Sequence, residues 1–188
     1  MSTRPSKLFF YKILIDDLKN ISKAIINFSV ADFACGGANI LRYIKPTKYI
    51  GIDNDKSLIK KNNSKDVKFY NKNIENFYLK KKLSVVLCTE TLGINKRFNN
   101  RTFIKVLKNL INSTKKNGYL LFNVSENIYK LYNKKISELL NNHFKDAKII
   151  QYGLINHRLP YLITKLLWRI EYFGLGRKYR YIYCKIKC

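Results

Sequence analysis

The stretch from Ser29 to Leu41 contains the residues best suited to bind a ligand. An apolar run ends there in a cluster of small residues, Ala34-Cys35-Gly36-Gly37-Ala38, and a helical pattern follows. A second strand-like run, Lys48 to Ile52, is closed by the carboxylate of Asp53. Small residues let backbone approach a ligand closely, and an acid at the tip of the next strand accepts hydrogen bonds from ribose hydroxyls. The pattern therefore predicts an adenosine site on an open α/β sheet.

Strands and helices alternate along the chain, and they predict the elements that would position this site. The predicted strands are 29–34, 48–52, 67–70, 84–88, 119–124, 147–152 and 179–185. Helical periodicity covers 7–27, 38–45, 55–62, 102–113 and 127–142. Gly118 is placed for a left-handed turn after the fourth of these helices. Such alternation favours a parallel sheet with helices on both faces, and ligands then bind at the carboxyl ends of the strands.

The order of the small residues separates two nucleotide-type ligands. A dinucleotide requires G-x-G-x-x-G, which Ala34 to Asn39 do not spell. Val30 to Asn39 instead resembles motif I of the class I S-adenosylmethionine-dependent methyltransferases, where a strand acid precedes a small-Cys-Gly-x-Gly turn. Tyr49 to Asp53 is similar to that family's second strand with its ribose acid. Ser84 to Leu92 is similar to its fourth strand and the loop that follows, and Lys115 to Leu121 to its entry into strand five.

The resemblance implies a fold and a cofactor. The fold would be an α/β, Rossmann-like three-layer sandwich, with a seven-stranded, mostly parallel sheet and helices on both faces. Strand seven would lie antiparallel between strands five and six. Residues 1–188 would form a single domain, with an N-terminal helix in 1–28 and an acceptor-side insertion in 154–178 between strands six and seven. The cofactor would be S-adenosyl-L-methionine, with no metal.

The resemblance also assigns roles to individual residues. Asp53 would accept hydrogen bonds from the ribose, although a helix N-cap is the alternative role. Asp32 would order the glycine turn or reach the methionine ammonium through water, and Asn73 would contact the adenine amino group. The predicted cofactor-binding residues are Asp32, Ala34, Cys35, Gly36, Gly37, Asp53, Asn54, Asn73, Ile74 and Thr89.

Methyl transfer from a sulfonium mainly requires alignment and exclusion of water, so a side-chain base is needed only for some acceptors. The predicted catalytic residues are Glu90, just past strand four, and His157, after strand six. A solvated loop acid and a surface histidine are the alternative interpretations.

Ala34 and Ala38 depart from the family pattern, which usually has glycine at both positions. An alanine costs little there if φ stays negative, and more if the position needs a positive φ. The departures also motivate an alternative function, a non-catalytic binding module on the same fold.

Composition limits the partners and the compartment. The formal net charge is +25, which favours polyanions or anionic membranes, but the lysines are scattered and AT-rich coding would produce them too. The four cysteines lack a CxxC spacing, so a disulfide or zinc framework is not expected. Cys35 and Cys88, at strand ends, are expected to be small buried hydrophobes. No apolar run reaches transmembrane length and no signal peptide is evident, so a cytoplasmic location is expected.

The segment 158–173 is apolar, aromatic and basic together. It fits a lid over the acceptor, a peripheral helix on a membrane surface, or part of the core. The leading hypothesis is a methyltransferase for a small-molecule or glycan/lipid-linked acceptor. An RNA methyltransferase is the alternative, because of the basic charge and the interleaved aromatic residues. Neither an Asn-Pro-Pro-Tyr run nor a Pro-Cys dipeptide is present to favour base or glutamine methylation.

Overall fold

The structure is a computed structural model that describes residues 5–59, 64–92, 100–144, 147–156, 163 and 180–188. Strands and helices alternate over most of this range, as the periodicity predicts. In chain order the elements are α1 (Pro5–Ala24), β1 (Ser29–Phe33), the 3-10 helix η1 (Asn39–Arg42), β2 (Lys48–Asp53), α2 (Lys56–Ile59), β3 (Val67–Asn71), the 3-10 helix η2 (Ile74–Asn76), β4 (Leu83–Leu92), α3 (Asn100–Ser113), β5 (Thr114–Ser125), α4 (Glu126–His143), β6 (Lys148–Asn156) and β7 (Arg180–Lys187).

The seven strands form one sheet in the order β3-β2-β1-β4-β5-β7-β6. The pairs among β1 to β5 are parallel, and β7 is antiparallel to both β5 and β6. The predicted fold is therefore confirmed, including the place of the antiparallel strand. β1 lies between β2 and β4 in the sheet. The chain therefore runs from β1 to β2 and β3 on one side and then crosses to β4 on the other side of β1. The carboxyl ends of β1 and β4 consequently form the crevice in which open α/β sheets bind ligands.

Two apolar clusters, one on each face of the sheet, make this a three-layer structure. One face packs α1 and η1 against β1 and β2 through residues such as Phe10 and Leu14. The other packs α3 and α4 against β4 and β5 through residues such as Phe103, Leu107 and Leu140. Burial of these helix stripes supplies the hydrophobic stabilisation of the fold.

A buried polar contact fixes α1 to the distant end of the chain. The Lys185 ammonium on β7 lies 2.6 Å from the Asp17 carboxylate on α1, and the Tyr183 hydroxyl donates to the same carboxylate at 3.1 Å. This contact joins positions 168 residues apart. It orients α1 on the sheet, and α1 in turn contributes side chains to the candidate site.

Four local predictions need correction. The helix expected at 38–45 is only a short 3-10 helix. Strand four continues through Leu92, so Thr89 and Glu90 lie within a strand and not after it. β6 continues to Asn156 and pairs with β7, so the first three residues of the predicted insertion 154–178 belong to the sheet. The left-handed residue is Asn117, with φ 62°, and not Gly118; it lies within β5, which begins at Thr114, and its side chain tolerates that conformation.

Gly118 is required at its position for a steric reason. A Cβ there would lie 2.6 Å from the Ser84 carbonyl oxygen on β4, which is far closer than real contacts allow.

His157 and nearly all of the segment 158–173 lie outside the described residues. In the described part of the chain no helix has the length and apolarity needed to cross a membrane. The same residues contain no group of three or more acidic, histidine or cysteine side chains suited to holding a metal ion.

Candidate functional site

A pocket of about 230 Å³ opens at the carboxyl ends of β1 and β4. Its walls come from α1, from β1 and the glycine turn, from η1 and from the end of β4. Seven residues predicted from the sequence line it together: Asp32, Ala34, Cys35, Gly36, Gly37, Thr89 and Glu90. Asp53, Asn54, Asn73 and Ile74 are not among its lining residues. They lie at or just after the carboxyl ends of β2 and β3, on the side where an adenosine would continue beyond the pocket.

The small-residue turn has left-handed backbone at three positions. The φ angles are 60° at Ala34, 51° at Gly36 and 49° at Ala38. Ala34 and Ala38, which stand where the family usually has glycine, are two of these three residues. Both positions therefore have the positive φ at which an alanine is costly. A left-handed conformation costs an L residue roughly 1–2 kcal/mol. The turn therefore keeps the backbone path of a glycine-rich loop at a moderate cost in stability.

Backbone hydrogen bonds tie this turn to β2. The amides of Ala34 and Cys35 donate to the Ile52 carbonyl at 2.7 and 3.2 Å, and the Gly36 amide donates to Asp53 Oδ2 at 2.9 Å. Three successive amides of the turn thus point at the tip of one neighbouring strand. The tips of β1 and β2 are held at a fixed separation, as a bound nucleoside spanning them would require.

Asp53 accepts hydrogen bonds from two backbone amides, and its contact with a ribose stays a prediction. Its Oδ1 accepts from the Asp55 amide at 3.0 Å, at the entrance to α2. The N-cap of α2 is nevertheless Asp55, whose Oδ1 accepts from the Ser57 amide at 2.8 Å. Asp53 is half-buried at the edge of the turn, and each carboxylate oxygen has a second lone pair to offer. Its carboxylate is therefore able to accept further hydrogen bonds.

Asp32 is buried and lines the pocket. The Tyr49 hydroxyl donates to its Oδ2 at 2.9 Å. Burial raises the pKa of Asp32 to about 7, although the Tyr49 hydrogen bond acts in the opposite direction. The carboxyl group thus titrates near neutral pH, and a cation in the pocket would favour its charged form.

Glu90 lies in an irregular part of β4. The pairing with β5 shifts register between Cys88 and Leu92, and Glu90 has φ 59°, a conformation that few glutamates adopt. Its amide donates to Asn123 Oδ1 at 2.6 Å, and Asn123 Nδ2 donates to Glu90 Oε1 at 3.5 Å. Asn123 on β5 is only 1% exposed. A buried amide from the next strand therefore contacts both the backbone and the side chain of Glu90.

Two of the three remaining predicted residues, Asn73 and Ile74, have structural contacts. Asn73 caps η2, where its Oδ1 accepts from the Glu75 amide at 2.9 Å. Ile74 is buried in the apolar cluster beneath α3, while Asn54 is exposed after β2. The contact of Asn73 with an adenine amino group stays a prediction, because this carbonyl oxygen already serves the cap.

Sequence reasoning missed several residues of the pocket. Tyr11 and Leu14 reach it from α1. Leu14 belongs to the apolar stripe of this helix, which indicates burial but not proximity to β1, and Tyr11 lies outside that stripe. Burial and the negative charges of Glu90 and Asp32 raise the pKa of Tyr11 to about 12. Gly51 is not a lining residue but packs against one: a Cβ there would lie 2.6 Å from the Phe69 ring and 2.9 Å from Cys35 Sγ.

The geometry fits the cofactor that the resemblance implies. A Cβ built on Gly36 would meet no heavy atom within 4 Å, so the space over the turn is open to a ligand. The described lining of the pocket contains two carboxylates and no Lys, Arg or His, although the chain has 37 Lys and Arg residues. Such a lining suits a ligand that carries positive charge, as a sulfonium does.

Comparisons with known proteins support the same fold. No protein-family model matches the sequence, and no curated protein matches it by sequence. The solved structure of N-methyltransferase NodS from Bradyrhizobium japonicum WM9, in complex with S-adenosyl-L-homocysteine, matches with a TM-score of 0.61 at 9% identity, over 95% of this chain and 87% of that chain. Magnesium protoporphyrin IX methyltransferase (ChlM) from Synechocystis PCC 6803, with bound SAM, matches with a TM-score of 0.63 at 12% identity, over 97% and 80% of the two chains.

A third match is the plantazolicin methyltransferase BpumL, in complex with a triazolic desmethylPZN analog and SAH. Its TM-score is 0.60 at 15% identity, over 98% of this chain and 85% of that chain. At these low identities the likeness concerns the fold. The chain therefore has the fold of the class I S-adenosylmethionine-dependent methyltransferases.

Proposed function

We propose that this protein is a methyltransferase that uses S-adenosyl-L-methionine as the methyl donor. The observation that carries the proposal is the junction of β1 and β2, where the Gly36 amide is bonded to Asp53 Oδ2 beneath open space. The structural neighbours with bound SAM or SAH support the same cofactor. When bound, this cofactor supplies an already activated methyl group, so the protein has to bind, align and exclude water.

The residues divide the cofactor between two regions. Asp53 accepts hydrogen bonds from the ribose hydroxyls, with Asn54, Asn73 and Ile74 around the adenosine. Asp32 and the turn Ala34 to Gly37 hold the methionine half. Thr89 and Glu90 on β4 line the opposite wall of the pocket, where the methyl group meets its acceptor.

The acceptor we propose is a small molecule or a glycan- or lipid-linked group. The plantazolicin and magnesium protoporphyrin IX enzymes, by their names, act on unrelated molecules, so the fold alone does not select one. We assign acceptor binding to the connection between β6 and β7, which includes His157 and the segment 158–173, and we propose that residues 1–188 act as one domain.

Isothermal titration with S-adenosylmethionine and S-adenosylhomocysteine tests the proposal directly. Asp53→Ala removes charge-assisted hydrogen bonds worth about 1.5–3 kcal/mol each, so we expect affinity for both ligands to fall at least about 10-fold. Asp53→Asn retains an acceptor for the Gly36 amide and separates loss of charge from disorder of the turn. Asp55→Ala is the matched control, because this exposed acid contacts Ser57 and not the turn. Absence of binding to the unchanged chain, or equal affinities for Asp53→Ala and Asp55→Ala, would contradict the assignment.

The RNA methyltransferase alternative makes a different prediction. Exposed lysines at 80–82, 115, 116 and 187 lie at the amino ends of β4 and β5 and the adjoining end of β7, opposite the pocket. RNA held there by its phosphates would be remote from the methyl donor, but Lys56 and Lys72, exposed after β2 and β3, lie at the same edge of the sheet as the pocket. Filter binding of RNA at increasing salt tests the alternative, since phosphate contacts weaken steeply with salt.

The second alternative, a non-catalytic binding module, predicts cofactor binding without transfer of label from a radiolabelled donor to any fraction of a cell extract.

A further inference from the structure

The contact between Asn123 and Glu90 is not needed to assemble the sheet, because a regular pair of residues on β4 and β5 would serve that purpose better. Asn123 interrupts the apolar run Leu120-Leu121-Phe122 of a buried strand, where a polar side chain is costly unless it is hydrogen-bonded. Glu90, opposite it, is in a left-handed conformation that a glutamate rarely adopts. A buried polar side chain and a left-handed glutamate, each unfavourable by itself, therefore contact each other on adjacent strands.

The hydrogen bonds between Asn123 and Glu90 offset the unfavourable energy of both residues. The Asn123 amide accepts from the Glu90 backbone amide at 2.6 Å, which fills the pairing lost where the register shifts. The other end of the same amide donates to Glu90 Oε1 at 3.5 Å. The backbone of residue 90 and its carboxylate are thus held by one buried side chain, which restricts the directions that the carboxylate takes. Strained backbone that surroundings hold in place is found mainly at functional sites.

The carboxylate is held where the pocket is already deficient in positive charge. Glu90, Asp32 and Tyr11 line the same pocket, and the charges of both acids contribute to the raised pKa of Tyr11. None of the described lining residues is basic. A positive charge in this pocket is therefore attracted by both carboxylates and opposed by none of the lining side chains.

We infer that Asn123 is a positioning residue that fixes the Glu90 carboxylate so that the pocket discriminates the cationic methyl donor from its neutral product. This inference rests on the proposed function. The donor is a sulfonium, and loss of the methyl group leaves an uncharged thioether, so the charge that Glu90 attracts disappears when transfer is complete. The two ligands share their adenosine, ammonium and carboxylate groups and differ in the methyl group and its charge, so a change in the ratio of their affinities when Glu90 loses its charge but keeps its shape reports the charge at sulfur.

The experiment is isothermal titration of the full chain and its variants with S-adenosylmethionine and S-adenosylhomocysteine. Glu90→Gln removes the charge and retains the shape, and we expect the ratio of product affinity to donor affinity to rise about 5-fold. Asn123→Leu should move the ratio in the same direction. The double variant should match Glu90→Gln alone, because Asn123 acts through Glu90. Glu138→Gln, an exposed acid on α4, is the control of equal charge change and should leave the ratio as it is.

Glu90→Gly separates selectivity from folding. Glycine adopts φ near 59° without strain, so this variant should unfold at the same or a higher temperature and still lose the preference for the donor. Equal weakening of both ligands in Glu90→Gln, or an unchanged ratio, would overturn the inference while leaving the proposed function intact. Failure of the unchanged chain to bind either ligand would overturn both.

Discussion

Asp32 makes the stability of this fold depend on pH in a direction opposite to that of most carboxylates. Its pKa is raised from 3.8 to about 7 by burial, so between these values the folded protein holds a proton that the unfolded chain has lost. Stability is then fully present below about pH 4 with respect to this group, falls as pH rises, and levels off above about pH 7.

The size of this change in stability follows from the size of the pKa shift of Asp32. A difference of about 3 pH units corresponds to about 4 kcal/mol of unfolding free energy. Roughly 3 kcal/mol of it falls between about pH 5 and about pH 8, because the unfolded group is already ionised at the lower limit. For a small domain this is a large part of the total stability.

Urea denaturation of the wild-type chain and Asp32→Asn over this range provides the measurement. The wild-type free energy of unfolding should decline with pH relative to the variant, whose amide does not titrate. Asp16→Asn, which changes an exposed acid on α1, should keep the wild-type slope. Tyr49→Phe removes the hydrogen bond that lowers the pKa of Asp32, so its decline should extend to higher pH. Parallel curves for wild type and Asp32→Asn would refute the reasoning.

Two further predictions concern the small-residue turn. Ala34→Gly should raise the free energy of unfolding by roughly 0.5–1 kcal/mol, because glycine relieves the left-handed strain but enlarges the unfolded ensemble; Ala38→Gly should be nearly neutral, since it also removes a methyl group that is 6% exposed. Gly51→Ala should lower stability by about 1–3 kcal/mol and weaken cofactor binding, because its Cβ would displace Phe69 and Cys35. Gly37→Ala, whose Cβ meets only Asn39 at 3.7 Å, is the stability control. Chemical denaturation checks these values, and a Gly51→Ala variant as stable as Gly37→Ala would contradict the packing argument.

The part of the site built from consecutive residues was predictable. The turn after β1 and the acid that closes β2 are local patterns, and parallel pairing places the tips of both strands on one edge. The end of β4 shows the limit of such reasoning. The polar run Thr89-Glu90-Thr91 predicts a loop, yet the strand continues through it, because Cys88 and Leu92 pair with β5 on either side and the Asn123 side chain accepts from the Glu90 amide between them.

The sequence by itself determined the order of the elements, the fold they build and the turn that would receive a nucleoside, because hydrophobic period and small-residue spacing are properties of neighbouring positions. The tertiary structure alone decided which distant side chains complete the pocket. Tyr11 lines the same pocket as the two carboxylates because α1 packs on the sheet, where Asp17 also binds Lys185 across 168 residues. Asn123 meets Glu90 because two strands pair out of register. Such contacts depend on packing in three dimensions, which no local pattern in the chain encodes.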